Sequence, residues 1–392
     1  MSTYIANVTV FDGQRARAKQ GVLIEDDRIV WTGAHARAPK PARAAKAVDG
    51  AGKFLTPGLI DCHVHLAFEG LGDFAGEAAT LTPAVAAIKG TVNARKHLAA
   101  GVTTVRDLGG PGGACIQVGL AIERGLIPGP RVLAAGHALT VTGGHGHNIA
   151  FAREVDGPDA MRKAVREEIR AGARAIKVVA TGGVLTPGIG ATFTAYTPGE
   201  LAAAVDEAHK WDRGVAAHAI GAEGILAAVR AGVDSIEHAT YVTPQIAREM
   251  KERGTFRSPT ICAIRGIVDN PDRVPAYALE KGRSTEAAAR ESHRRAVRAG
   301  VRHVCGTDAG TPFNPHGSAP RELVRMVEWG MTPLVALRAG TSNGAELLRL
   351  AEAGAVANGM QADLCLYGED PLDDIAATLR PLTVWKGGLR VR

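Results

Sequence analysis

The sequence predicts an α/β protein: a (β/α)8 TIM-type barrel carrying a small β-sandwich domain built from both termini. Three observations predict it. From Gly101 onward, short β-branched runs alternate with amphipathic Ala-rich segments, the pattern of βαβ units on a parallel sheet. Strand candidates with intervening helices number eight, which favours a closed barrel over an open doubly wound sheet. Both ends of the chain lack helical periodicity and carry turn signals instead.

The strand candidates are 59–66 (LIDCHVHL), 101–108 (GVTTVRDL), 131–136 (RVLAAG), 175–181 (AIKVVAT), 214–220 (GVAAHAI), 233–240 (VDSIEHAT), 255–261 (TFRSPTI) and 301–308 (VRHVCGTD). Helices are expected between them, among others at 159–171, 198–211 and 286–299. In the first, Met161, Val165 and Ile169 recur every fourth residue and face the sheet. Asp159 stands where an N-cap is expected and Gly172 where the helix should stop. Short antiparallel strands are expected at 3–11, 21–31 and 45–54, and again in 361–392, where Lys386-Gly387-Gly388 reads as a hairpin turn. Residues 1–57 with 356–392 are thus expected to form the small domain, and 58–355 the barrel.

Composition narrows the function. The 392 residues are 46% hydrophobic and 22% charged, which is ordinary globular composition,. The net charge of +6 is small for this length. The basic residues (Arg15, Arg17, Arg37, Lys40, Arg43) are scattered among Ala and Pro without aromatic interleaving, so a solvated face is expected rather than a nucleic-acid surface. Five isolated cysteines without a C-x-x-C pair read as reduced, buried thiols,. The start, MSTYIANVTVFDG, has neither the basic nor the apolar region of a secretory signal, and no apolar run is long enough to span a bilayer. A soluble, cytoplasmic protein is expected.

Certain polar residues stand out against this background. His63 and His65, two apart on the first barrel strand, share one face and offer neutral nitrogen to a cation such as Zn²⁺. Alone, H-x-H reads sooner as a hydrogen-bonded pair. Lys177 sits in AIKVVA, a strand otherwise apolar, where a bare ammonium carries a large desolvation penalty. It is either a lysine snorkelling at a strand end or, after CO₂ capture, a carbamate able to bridge two cations. His218, His238 and Asp308 end the fifth, sixth and eighth strand candidates. Barrel active sites lie on the C-terminal rim of the strands, and all six residues fall there. That joint placement favours the metal reading.

These residues lie in PGLIDCHVH (57–65), GVTTVRDLGG (101–110), GGHGH (143–147), IKVVATGG (176–183), AAHAIG (216–221), SIEHATY (235–241) and CGTDAG (305–310). Through them the chain resembles the amidohydrolase superfamily, in particular its imidazolonepropionase-like and Xaa-Pro dipeptidase (prolidase)-like branch. The resemblance implies two divalent metal ions, usually zinc. His63 and His65 would bind the buried ion, His218 and His238 the exposed one, carboxylated Lys177 would bridge them, and Asp308 would complete the buried site. A water held by both ions would be the nucleophile, with Asp308 accepting its proton and passing it to the leaving nitrogen.

Tyr241 is a candidate donor to the developing oxyanion, or a rim packing residue. His145 and His147 are substrate contacts or loop-stabilising hydrogen-bonders. The Gly-rich run 181–190 follows the fourth strand and lacks the Gly-Lys-Ser/Thr of a phosphate cradle, so a lid or pocket wall is expected; residues 262–285 form a second wall or a solvated loop. The expected reaction is cleavage of an amide C–N bond in a small molecule such as a dipeptide or N-acyl amino acid. A carbamate, urea, lactam or lactone is the alternative substrate, and a barrel without catalysis the alternative class. Barrels of this kind often associate through their outer helices, so a homo-oligomer is expected.

Overall fold

The computed structural model describes residues 2–149 and 151–392. Five strands come first: β1 (Ser2–Phe11), β2 (Ala16–Glu25), β3 (Arg28–Ala34), β4 (Lys46–Asp49) and β5 (Phe54–Pro57). The barrel region supplies β6 (Leu59–Val64), β7 (Val102–Asp107), β8 (Arg131–Ala134), β9 (Ala138–Thr140), β10 (Ala152–Glu154), β11 (Ala175–Val179), β12 (Gly214–Ala219), β13 (Ser235–His238) and β14 (Phe256–Ser258). Last come β15 (Leu364–Tyr367), β16 (Pro381–Lys386) and β17 (Leu389–Arg390).

Strands from the two ends share one sheet of order β17-β16-β15-β5-β1-β2-β3, with β4 beside β1. The stitch is the antiparallel pairing of β15 with β5, in which Leu364 faces Pro57. Alternate residues (Ile5, Val22, Ile24, Leu55, Leu364, Trp385) meet in its core, as a period of two demands. The segment 21–31, expected as one strand, is a hairpin: β2 turns into β3 at Asp26-Asp27, with Asp26 at φ 50°. Asp tolerates that left-handed conformation better than most residues, which the apolar flanks conceal. Gly387 and Gly388, at φ 53° and 73°, make the turn between β16 and β17, as two-residue hairpins require.

The barrel wall runs through two parallel ladders, β6-β7-β8 and β11-β12-β13-β14. The Arg174 N–H donates to Ala134 O (2.8 Å) across the seam between them. The eighth segment, expected as a strand at 301–308, closes the ring through isolated bridges of His303 to Arg257 and of Ala309 to Val64. The Cys62 N–H donates to Cys305 O and the Asp308 N–H to His63 O, at 2.8 and 2.7 Å. The segment ends on Asp308 in the left-handed conformation (φ 60°). Gly306 runs so close to its neighbours that a Cβ would lie 2.1 Å from Ser258 Oγ. Strands β9 and β10, absent from the sequence reading, pair in parallel beside β11 and frame the loop that holds His145 and His147.

The helices differ at their edges. Pro158–Ala171 is capped by Gly157, so Asp159 lies in the first turn rather than at the N-cap, while Gly172 stops the helix at φ 107°. Pro198–Lys210 opens with a Thr197–Glu200 capping box. The helix expected at 286–299 begins ten residues earlier, as Ala276–Ala299, and 262–285 is largely helical, since Ile261–Val268 precedes it. Among the described residues, no helix is long and apolar enough to cross a membrane.

A buried carboxylate pins the closing segment. Asp61 accepts the Thr307 backbone N–H (3.0 Å) and hydroxyl (2.7 Å), along with the His63 N–H. Burial pushes its pKa up to about 7. Thr307→Val removes one donor from an enclosed carboxyl, so stability should fall by about 1–3 kcal/mol, read as a lower urea midpoint with an unchanged slope. An unchanged midpoint would show that this latch does not hold the barrel closed.

Candidate metal centre

Each candidate ligand stands at or near the C-terminal end of a barrel strand, because the sheet pairs β11, β12 and β13 in register. Val179 faces His218 across one pair, and Ala219 faces His238 across the next. His63, His65, Lys177, His218 and Asp308 are buried, and His238 is partly so. The structure brings all six to one cavity. Asp308 Oδ1 lies 3.2 Å from Nε2 of both His63 and His65, and this trio can hold a metal ion, its donor atoms lying within 4.8 Å of one another. Lys177 Nζ is 3.5 Å from His63 Nε2. The His218 and His238 ring centroids are 4.6 Å apart, and those of His238 and His63 5.5 Å.

One nitrogen of every imidazole is already committed. His63 Nδ1 donates to Glu237 Oε2 (2.9 Å), His65 Nδ1 to Gly109 O (3.0 Å) and His218 Nε2 to Gly182 O (2.8 Å). These acceptors can only accept, so the tautomers follow. Thr260 Oγ1 donates to Pro259 O (2.8 Å) and therefore accepts from His238 Nδ1 (2.7 Å). A lone pair remains on Nε2 of His63 and His238 and on Nδ1 of His218, while His65 Nε2 faces Asp308 Oδ1. Metal-binding histidines have this arrangement, the second nitrogen fixing the ring.

Behind His63 stands a buried relay that the sequence reading missed. Arg106 donates to Glu237 Oε1 (2.9 Å), Ser235 Oγ (3.1 Å) and Cys62 O (2.7 Å). The signal was present: Arg106, like Lys177, is a charge on a barrel strand, and Glu237 adjoins His238. Another device is backbone strain. His238, Ala239, Thr260 and Asp308 have φ of 68°, 49°, 50° and 60°, a conformation that costs non-glycine residues about 1–3 kcal/mol. Buried Arg257 holds the first two through the carbonyls of His238 and Ala239, at 3.1 and 3.4 Å.

The electrostatics favour uncharged imidazole. Burial holds His63, His218 and His238 well below the usual histidine range, and Lys177 adds to the effect at each. His65 is the exception: burial pulls it down, but Asp308, through its hydrogen bond and its charge, together with Asp107 and the Gly109 carbonyl, raises it. Burial opposes ionisation of Asp308 as well, yet His63, His65 and Lys177 together keep it below the usual carboxylate range. Burial lowers Lys177 to about 8, against the pull of Glu237 and Asp308.

The cavity encloses about 860 Å³, part of it open to solvent. His145 lines it with its ring 4.8 Å from that of His218, its Nδ1 bonded to Thr186 Oγ1 (2.7 Å). Burial brings its pKa down to about 3. His147 is exposed, bonds Gly144 O of its own loop and does not reach the cavity lining. Tyr241 also lies outside the lining; it is half-buried, its backbone N–H donates to Ile220 O, and Thr240 takes the place at the cavity wall. Neither side chain is brought to the six ligands, because each falls past the strand end, where alternation no longer fixes direction. Loop 181–190 and the two helices of 262–285 do supply wall residues, Leu185 and Ile267 among them.

Comparison with known proteins gives a consistent picture. Residues 54–391 match the model of the amidohydrolase family. The ochratoxinase of Aspergillus niger is 33% identical over 410 residues, covering 96% of this chain and 83% of the relative. A Xaa-Pro dipeptidase crystallised with methionine in its active site has 31% identity and a TM-score of 0.92, over 100% of this chain and 99% of that one. A prolidase complexed with N-methylphosphonate-L-proline has 33% identity and a TM-score of 0.91, with both chains wholly covered.

The relay behind His63 makes a prediction. Glu237→Gln keeps the shape but removes the carboxylate that orients the ring, so zinc affinity should fall about 10–100-fold in competition with a chromophoric chelator. Unchanged affinity would show that His63 is placed by packing alone.

Proposed function

The chain belongs to the amidohydrolase family, and on that premise we propose that it is a binuclear metal-dependent hydrolase cleaving the C–N amide bond of a small molecule such as a dipeptide or N-acyl amino acid. One observation carries the reading: four imidazoles, each pinned through one nitrogen, present the other to a cavity that also holds buried Asp308 and Lys177. Such a donor set suits zinc or a similar divalent ion. In this proposal His63, His65 and Asp308 hold the buried ion and His218 and His238 the exposed one. Bound there, the ions would supply Lewis acidity for the scissile carbonyl and bring the pKa of a water near neutrality.

The protein's own groups do the rest. Lys177, lowered to about 8 by burial, is often enough uncharged near neutral pH for its amine to attack CO₂. The N–C bond that forms leaves a carbamate and releases one proton; that group, one negative charge shared by two oxygens, would offer an anionic ligand to both ions. Asp308, kept ionised by His63 and His65, accepts the proton of the attacking water and returns it to the leaving nitrogen as the C–N bond breaks. His145, neutral and facing the cavity, is the proposed substrate contact, its Nε2 free of the bond to Thr186. The prolidase and ochratoxinase relatives support an amide as the bond attacked, and the enclosed cavity supports a small molecule.

Two measurements test this. Zinc-loaded protein should hydrolyse members of a panel of dipeptides and N-acyl amino acids, with amine release as the readout; a metal-replete protein inert to the whole panel would overturn the amide assignment. Lys177→Ala should lose at least about 100-fold in kcat, a loss on the scale of an essential catalytic group, and recover part of it with added short carboxylate. Full activity without the supplement would remove the carbamate.

A further inference from the structure

The cavity has two unlike linings. Beside His65 it is aromatic, with the Phe151 ring 5.4 Å from that imidazole and Phe74 nearby. The other stretch is aliphatic and comes from two distant parts of the chain: Val184 and Leu185 of loop 181–190, and Ile264 and Ile267 of helix Ile261–Val268.

A single cation ties three carbonyls of that loop. Lys281 Nζ donates to Gly183 O (3.2 Å), Thr186 O (2.8 Å) and Ile189 O (2.6 Å), which uses all three of its N–H donors. Four residues earlier on the same helix, Tyr277 donates its hydroxyl to Leu185 O (3.1 Å). Every one of these acceptors is a loop carbonyl, and among the described residues Lys281 has no ion-pair partner. The ammonium also stands 5.8 Å from the centre of the Tyr277 ring; a lysine half-buried with three carbonyls and no carboxylate is an unusual use of a strongly hydrated ammonium, and here it sets the shape of a glycine-rich segment with little regular structure of its own. The helix also comes close. Gly282, next to Lys281, lines the cavity, and a Cβ there would lie 3.0 Å from Ile267 Cγ2. Loop and helix are thus held together as one surface.

We propose that residues 181–190 are a clamped specificity wall, that Lys281 is the positioning residue that clamps it, and that the substrate places a bulky apolar group against Val184, Leu185, Ile264 and Ile267. This rests on the hydrolase reading and deepens it by naming the substrate class: amides carrying a large aromatic or aliphatic substituent. Such a group gains from apolar burial on that wall, whereas a charged one meets no opposite charge there.

Titration calorimetry on the zinc-loaded full chain tests it with N-acetylglycine, N-naphthoylglycine and N-acetyl-naphthylalanine, which carry no ring, a ring on the acyl side and a ring on the amine side. At least one naphthyl ligand should bind about ten-fold tighter than N-acetylglycine, and Lys281→Met and Leu185→Ala should each cut that ratio below about three-fold; where turnover occurs, KM takes the place of Kd. Lys281→Met should also expose the loop to thermolysin. Should that variant not fold, Tyr277→Phe, which removes the donor to Leu185 O, replaces it. Equal affinity for all three ligands would overturn the wall, and an unchanged ratio with an uncleaved loop in the clamp variants would overturn the role of Lys281. A naphthyl preference without hydrolysis supports the wall while contradicting the hydrolase reading.

Discussion

Five imidazoles and an ammonium gathered around one cavity, four of those rings being candidate ligands, cannot all carry charge, and the rest of the site follows from that constraint. Burial and mutual repulsion keep His63, His218 and His238 neutral, and neutral imidazole is the form that donates a lone pair. Neutrality alone would leave four rings free to rotate. Each is therefore tied through its other nitrogen, to Glu237, Gly109, Gly182 or Thr260. The ties come from four different elements, so the barrel itself sets where the free lone pairs point.

That dependence explains why several buried polar groups lie outside the cavity yet bear on it. Arg106 compensates the carboxylate that orients His63. Asp61 draws in Thr307, the residue before Asp308, at the place where the barrel lacks a regular eighth strand. Arg257 reaches the carbonyls of His238 and Ala239, where the backbone is left-handed. A regular strand end would place these side chains by alternation alone; a strained end re-aims them, and it persists because the surrounding hydrogen bonds outweigh the strain.

Much of this was legible in the sequence. The strand–helix alternation gave the barrel, and Lys177 gave the site, because an ammonium in AIKVVA has no comfortable apolar explanation. The same logic applied to Arg106 in TTVRDL would have found its relay. Other features were hidden for physical reasons. The Asp26-Asp27 turn lies in the charged run Glu25 to Arg28 between two apolar triplets; with no glycine or proline in that run, strand and turn look alike. The first turns of helix Ala276–Ala299 are masked by a basic, Pro-flanked composition. Tyr241 and His147 lie beyond strand ends, where neither period two nor period 3.6 says which way a side chain points. Loop 181–190 looked like a lid from its glycines, but its anchor, Lys281, lies about a hundred residues away and no local pattern connects them.

The central claim is that the free nitrogens and the two anionic groups converge on a pair of cations. Anomalous diffraction from crystals of the zinc-loaded protein, recorded on both sides of the zinc edge, tests it most directly. Two peaks are expected, one among His63, His65 and Asp308 and one beside His218 and His238, with continuous density joining Lys177 to a carbamate between them. A single peak, or two peaks flanking an unmodified lysine, would contradict it.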